Sequence, residues 1–140
     1  MVTADPHVFI KQKQMRMSAK YAEKKPSRVK QISWIYALRR SPYPADTPRS
    51  GKYLAFVSPA DADACWALIK DATHRGLFGD ASKVSTKAQR RRKHDAECVI
   101  CIYTYDCEDM DDRRRIERNL EQLGFRDLRY KTNHATMQHY

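Results

Sequence analysis

The run Cys98-Val-Ile-Cys-Ile-Tyr-Thr-Tyr105 is the most apolar stretch of the chain, and it is short, β-branched and aromatic. A segment of that length and composition reads as a buried strand rather than a helix. Polar sequence bounds it on both sides: the arginine-rich Lys87 to Glu97 before it, and five acids between Asp106 and Asp112 after it. A strand this apolar belongs in the centre of a sheet, so the rest of the chain must supply neighbours on both of its edges and helices to cover it.

Those partners are readable. Ile32, Trp34, Tyr36 and Leu38 alternate with Ser33, Ile35, Ala37 and Arg39, which gives a first strand over 31–38. Ser41 to Gly51 holds three prolines and is a loop, and Lys-Tyr-Leu-Ala-Phe-Val from Lys52 gives a second strand. Ser58-Pro59-Ala60-Asp61 has the N-cap, first-turn proline and early acid of a helix start. Cys65, Leu68, Ile69 and Ala72 follow helical spacing, and Gly76 stops the helix. Asp80 to Thr86 alternates again and sets Ala81, Lys83 and Ser85 on one face. The acids of 106–112 suit the positive end of a second helix carrying Ile116, Leu120 and Leu123 and stopped by Gly124, and 125–131 gives a last strand.

The order β-β-α-β-β-α-β predicts an α+β fold: one mixed or mostly antiparallel sheet with helices on one face, its other face free to line a groove. At 140 residues one domain is expected, over 32–140, preceded by a basic arm over 1–31 that is partly helical and ends near Pro26.

Charge points to the kind of partner. Met1 to Ser50 carries 11 basic and 3 acidic residues, whereas Gly51 to Tyr140 carries 16 and 14, so most of the net +10 sits in the first third. Such asymmetry fits contact with a polyanion: a nucleotide or nucleic acid, or an acidic protein. No apolar run approaches the ~18 residues of a membrane span, and the N-terminus lacks the pattern of a secretory signal, so no membrane role and a cytoplasmic location are expected. Cys65, Cys98, Cys101 and Cys107 are expected to be reduced thiols. On a strand Cys98 and Cys101 point to opposite faces and make a poor chelate, so neither a metal nor another cofactor is expected.

Arg90, Arg91, Arg92 and Lys93, between the strand bearing Lys83 and the central strand, can converge on phosphate oxygens at one end of the sheet. Trp34, Tyr36, Tyr53, Tyr103, Tyr105 and Tyr130 fall on strands, where aromatics either fill a core or stack on bases. The chain has no Walker loop, GxGxxG, GxSxG or HExxH motif.

Ser33-Trp-Ile-Tyr-Ala-Leu-Arg-Arg-Ser-Pro42, Ser50-Gly-Lys-Tyr-Leu-Ala-Phe-Val57, Gly76-Leu-Phe-Gly-Asp-Ala-Ser-Lys-Val-Ser-Thr86, Val99-Ile-Cys-Ile-Tyr-Thr-Tyr-Asp-Cys-Glu-Asp109 and Leu123-Gly-Phe-Arg-Asp-Leu-Arg-Tyr-Lys-Thr132 together resemble the basophilic-leukaemia-expressed protein family, some of whose members carry a phosphothreonine-lyase-domain label. The resemblance implies a curved antiparallel sheet similar to that of the cap-binding translation initiation factor. It makes Trp34, Lys83, Arg90 to Lys93 and Lys131 the positions expected to meet a phosphate-bearing ligand. The lyase label implies β-elimination of phosphate from phosphothreonine, with Lys83 as the base if it acts. Ser85 stands two residues after Lys83, where the lyase pattern has a histidine. A binding module is the leading expectation, a lyase or an adaptor for an acidic protein the alternatives.

Overall fold

A computed structural model describes residues 6–90 and 97–134. Its sheet is antiparallel throughout and has five strands: β1 (Trp34–Leu38), β2 (Gly51–Val57), β3 (Ala81–Ser85), β4 (Cys98–Thr104) and β5 (Arg129–Thr132), in the spatial order β1-β3-β4-β2-β5. The apolar run is the central strand, as its composition requires. The helices are α1 (Pro6–Ser18), α2 (Ala62–His74), the single turn α3 (Lys87–Arg90) and α4 (Met110–Gln122).

The alternation of each strand divides its side chains cleanly. Ile35, Ala37, Tyr53, Ala55, Val84, Ile100 and Ile102 point to one face, where Trp66, Ile69 and Ala72 of α2 and Ile116 and Leu120 of α4 close the main core. Both helices end in the pattern that a left-handed glycine allows. Gly76 has φ +82°, with Leu77 N donating to Ala72 O at 3.0 Å. Gly124 has φ +98°, with Phe125 N donating to Leu120 O at 3.0 Å. Asp109 caps α4 by accepting from Asp112 N at 3.0 Å. Asp106 is held by Arg49 and Asp112 accepts from Arg115 at 2.8 Å, so these acids organise the helix start. Ser58 makes the expected capping bond, its Oγ accepting from Asp61 N at 3.3 Å, and the turn that it closes leads into regular α2 from Ala62.

The opposite face carries Trp34, Tyr36, Lys52, Leu54, Phe56, Ala81, Lys83, Cys101 and Tyr103, and α1 lies against it rather than with the other helices. The inward positions of α1 are Lys11, Gln14, Met15 and Ser18, spaced as one helical stripe. Phe9 and Met17 face outward, 60% and 51% exposed. This inverted helix is anchored by polar bonds: Lys11 to Asp80 and Asp46, Gln14 to the Tyr36 hydroxyl at 2.7 Å, and Ser18 Oγ to Tyr36 N at 3.3 Å. The first strand is shorter than expected, starting at Trp34, and the segment before it contributes Val29, 3% exposed, to the main core. The last strand also starts late, at Arg129.

Among the described residues no helix is long and apolar enough to cross a membrane. The four cysteines are free thiols.

One close approach fixes how β3 enters the sheet. A Cβ at Gly79 would lie 2.0 Å from the carbonyl oxygen of Tyr103, a backbone atom that cannot swing away. Gly79→Ala is therefore expected to cost about 1–3 kcal/mol through forced backbone shifts, read as a fall of several degrees in the melting temperature. An unchanged melting temperature would mean that the β3 entry is loosely packed.

Candidate functional site

A cavity of about 230 Å³ opens between α1 and the face of the sheet that it covers. Register explains why lysines gather there. Lys83 of β3 lies opposite Tyr36 of β1 and Cys101 of β4, and Lys52 of β2 lies opposite Tyr103 of β4 and Lys131 of β5. Same-face neighbours on adjacent strands share a surface, so alternation in five strands delivers three lysines and three aromatic or thiol side chains to one place. Lys11 enters from α1 on the other side, and Leu54, Phe56 and Val99 make the apolar part of the wall.

These cations are unusually dry. Lys11, Lys52 and Lys83 are 4%, 5% and 8% exposed, whereas lysine is rarely buried without a partner. Lys11 has its carboxylates: Asp80 at 2.9 Å and Asp46 at 3.3 Å, with its ammonium also 4.1 Å from the centre of the Tyr103 ring. Lys83 is held differently. Its Nζ stands 4.0 Å from the centre of the Trp34 ring and 5.8 Å from those of Tyr36 and Tyr103, and among the described residues no hydrogen bond or ion pair anchors it. The Tyr36 and Tyr103 rings run parallel, 6.4 Å apart, and form the aromatic wall below it.

Burial sets the electrostatics. It lowers the pKa of Lys52 to about 8; the Cys101 sulfur opposes the shift, and Lys83, Lys131 and Lys11 add to it. Burial likewise holds Lys83 below its ordinary value, opposed by Cys101 and reinforced by Lys11. The Cys101 thiol is pushed up by burial, and the two nearby lysines recover only part of that rise. Positive charge is thus stored here at a desolvation cost, and among the described residues lining the cavity none is acidic. An anion entering the cavity would relieve that cost.

Of the residues singled out from sequence, Trp34, Lys83 and Lys131 all line this cavity. Arg90 ends α3, whereas Arg91, Arg92 and Lys93 lie outside the described residues. Lys52, Lys11 and Cys101 were not among the candidates. The signal for Lys52 is present in Lys52-Tyr-Leu-Ala-Phe56, whose alternation pairs Lys52 with Leu54 and Phe56 on one face. Of the strand aromatics, Tyr36 and Tyr103 border the cavity. Tyr53 and Tyr130 turn to the main core and pack with Arg113, whose guanidinium lies 3.8 Å from the centre of the Tyr130 ring. Tyr105 packs edge-on against Tyr43. Trp66 is a core residue, 2% exposed. Among the described residues no group of three or more His, Cys, Asp or Glu side chains has the geometry of a metal site.

Residues 44–134 match the family model described as basophilic leukemia-expressed protein Bles03. The matched stretch includes Lys52, Lys83, Cys101, Tyr103 and Lys131, and leaves out α1 and β1 with Lys11, Trp34 and Tyr36. No curated protein matches the chain.

Proposed function

The chain belongs to the basophilic leukemia-expressed protein Bles03 family, and we propose that the cavity on its sheet is a binding site for a small phosphate-bearing ligand, a nucleotide or a phosphate group of RNA. One observation carries this reading: Lys83 is buried against three aromatic rings without an ion pair among the described residues, beside a second buried lysine, Lys52. A fold keeps such a cation at a cost to its stability, and an anionic ligand supplies the missing counter-charge. Phosphate accepts several charge-assisted hydrogen bonds at once, so Lys52, Lys83 and Lys131 can share one group. Trp34 and the apolar wall of Leu54 and Phe56 would take the organic part of the ligand.

The basic segment extends the site. α3 follows β3 directly and β4 begins at Cys98, and Trp34, Phe56 and Val99 at that end of the sheet border the cavity; Arg91, Arg92 and Lys93, outside the described residues, are proposed to add their charge to it. Changing Arg90, Arg91 and Arg92 together to alanine is expected to weaken binding and flatten its salt dependence while leaving the melting temperature nearly unchanged, since exposed charges contribute about 0–1 kcal/mol to a fold.

Calorimetric titration with inorganic phosphate and nucleoside monophosphates tests the reading. Saturable binding is expected, and affinity should fall as pH rises through about 8, where Lys52 loses its proton. Absence of heat with every phosphate probe, together with binding to an acidic polypeptide, would replace this reading with that of a protein adaptor. In the lyase pattern the acid for the departing phosphate is a histidine two residues after the lysine; Ser85 stands there, and no histidine is among the described residues lining the cavity. No phosphate release from such a peptide is expected.

A further inference from the structure

Lys83 has a second chemical capacity that a phosphate grip does not require. A lysine amine becomes a nucleophile at neutral pH when it is desolvated or crowded by other cations, because both favour the neutral form that carries the lone pair. Both conditions meet at Lys83. Its side chain is 8% exposed, and Lys52, Lys11 and Lys131 line the same small cavity. The other groups facing it are Cys101, Tyr36 and Tyr103, none of them a carboxylate that would hold the ammonium charged. Lys83 lines the cavity, and its Nζ is not tied into a hydrogen bond among the described residues.

We propose that Lys83 forms an imine with the carbonyl group of a phosphate-bearing aldehyde or ketone bound in the cavity. The proposal rests on the phosphate-binding reading and narrows its ligand class: the phosphate lies toward Lys52 and Lys131, and the carbonyl carbon meets Lys83. The Nζ lone pair adds to the carbonyl carbon, and one amine proton passes to the former carbonyl oxygen to give a carbinolamine. The carbinolamine hydroxyl then leaves as water, taking a proton from the Lys52 ammonium, while the nitrogen lone pair forms the C=N bond. The nitrogen proton of the resulting iminium returns to Lys52. One amine and one carbonyl thus become one imine and one water, with no oxidant or reductant consumed.

The test incubates the intact chain with glyceraldehyde 3-phosphate and cyanoborohydride, which reduces an imine to a stable secondary amine, and maps the adducts by peptide mass spectrometry. The expected result is an adduct on Lys83 that forms about tenfold or more faster than on exposed lysines such as Lys13 and Lys24, slows when inorganic phosphate competes, and is missing from Lys83→Arg. Adducts spread over the exposed lysines with Lys83 unmodified would overturn the proposal. Calorimetry with inorganic phosphate on the same preparation separates the two readings. Phosphate binding without a Lys83 adduct overturns the imine alone, and loss of both overturns the phosphate site as well.

Discussion

Lys83→Met is expected to raise the melting temperature by several degrees and to abolish phosphate binding in the same protein. Methionine follows the path of the lysine stem through the cavity wall and keeps its contacts with Trp34, Tyr36 and Tyr103, but carries no charge into a site that is 8% exposed. Replacing buried charge with apolar atoms of similar volume is commonly neutral or stabilising by about 1–4 kcal/mol. The lost cation–π contact offsets about 1–2 kcal/mol of that gain. Lys52 should show the same tension through pH. Its folded pKa of about 8 lies below its ordinary 10.5. Below about 8 it is charged in both folded and unfolded chains, and the cost of burying that charge is fully present. As pH rises from about 8 toward 10.5 the folded chain discharges first, so the ligand-free protein gains stability over that window. A lower melting temperature for Lys83→Met would show that the lysine holds the fold together and is not kept for a ligand.

Two truncations should differ sharply. Removing residues 1–18 strips α1, with the Lys11 pairs and the bonds that Tyr36 donates to Gln14 and Ser18, and opens the cavity to solvent. The main core between the sheet and helices α2 and α4 stays whole, so cooperative unfolding should survive at a reduced melting temperature. Removing residues 1–30 also takes Val29 out of that core and breaks the two bonds from Ser27 to Asp63 on α2, 3.0 Å from its backbone N–H and 2.5 Å from its hydroxyl. Burying a valine contributes about 1.5–3 kcal/mol, and an Asp63 left without its partners adds to the loss. The longer truncation should therefore unfold several degrees below the shorter one. Equal melting temperatures would mean that the segment around Val29 contributes nothing to the core.

The contrast between those truncations marks where the sequence is legible. Strands announce themselves by alternation, and the glycines after α2 and α4 by their position, so the sheet, its central strand and both core helices can be read directly. Trp34, Lys83 and Lys131 are indicated by the family resemblance, and for Trp34 and Lys83 the two-residue period of their strands adds that such side chains stand on a face of the sheet. Lys11 could not. The inward stripe of α1 is Lys11, Gln14, Met15 and Ser18, so no apolar stripe marks the face turned to the sheet, and only the position of Asp46 and Asp80 explains why a lysine is buried there. Val29 is hidden for a similar reason: it is a single apolar residue in a basic run, recruited by tertiary packing with no local pattern of its own. Lys52 lies between these cases, on a readable strand but in a register with Tyr103 and Lys131 that no local pattern supplies.

A crystal structure of the protein with a nucleoside monophosphate tests the central claim most directly. The account predicts the phosphate inside the cavity, its oxygens within hydrogen-bond distance of Lys52 and Lys83, and the organic part against Trp34 or the Leu54–Phe56 wall. A saturating ligand bound elsewhere on the basic surface, with the cavity beside Lys83 empty, would contradict it.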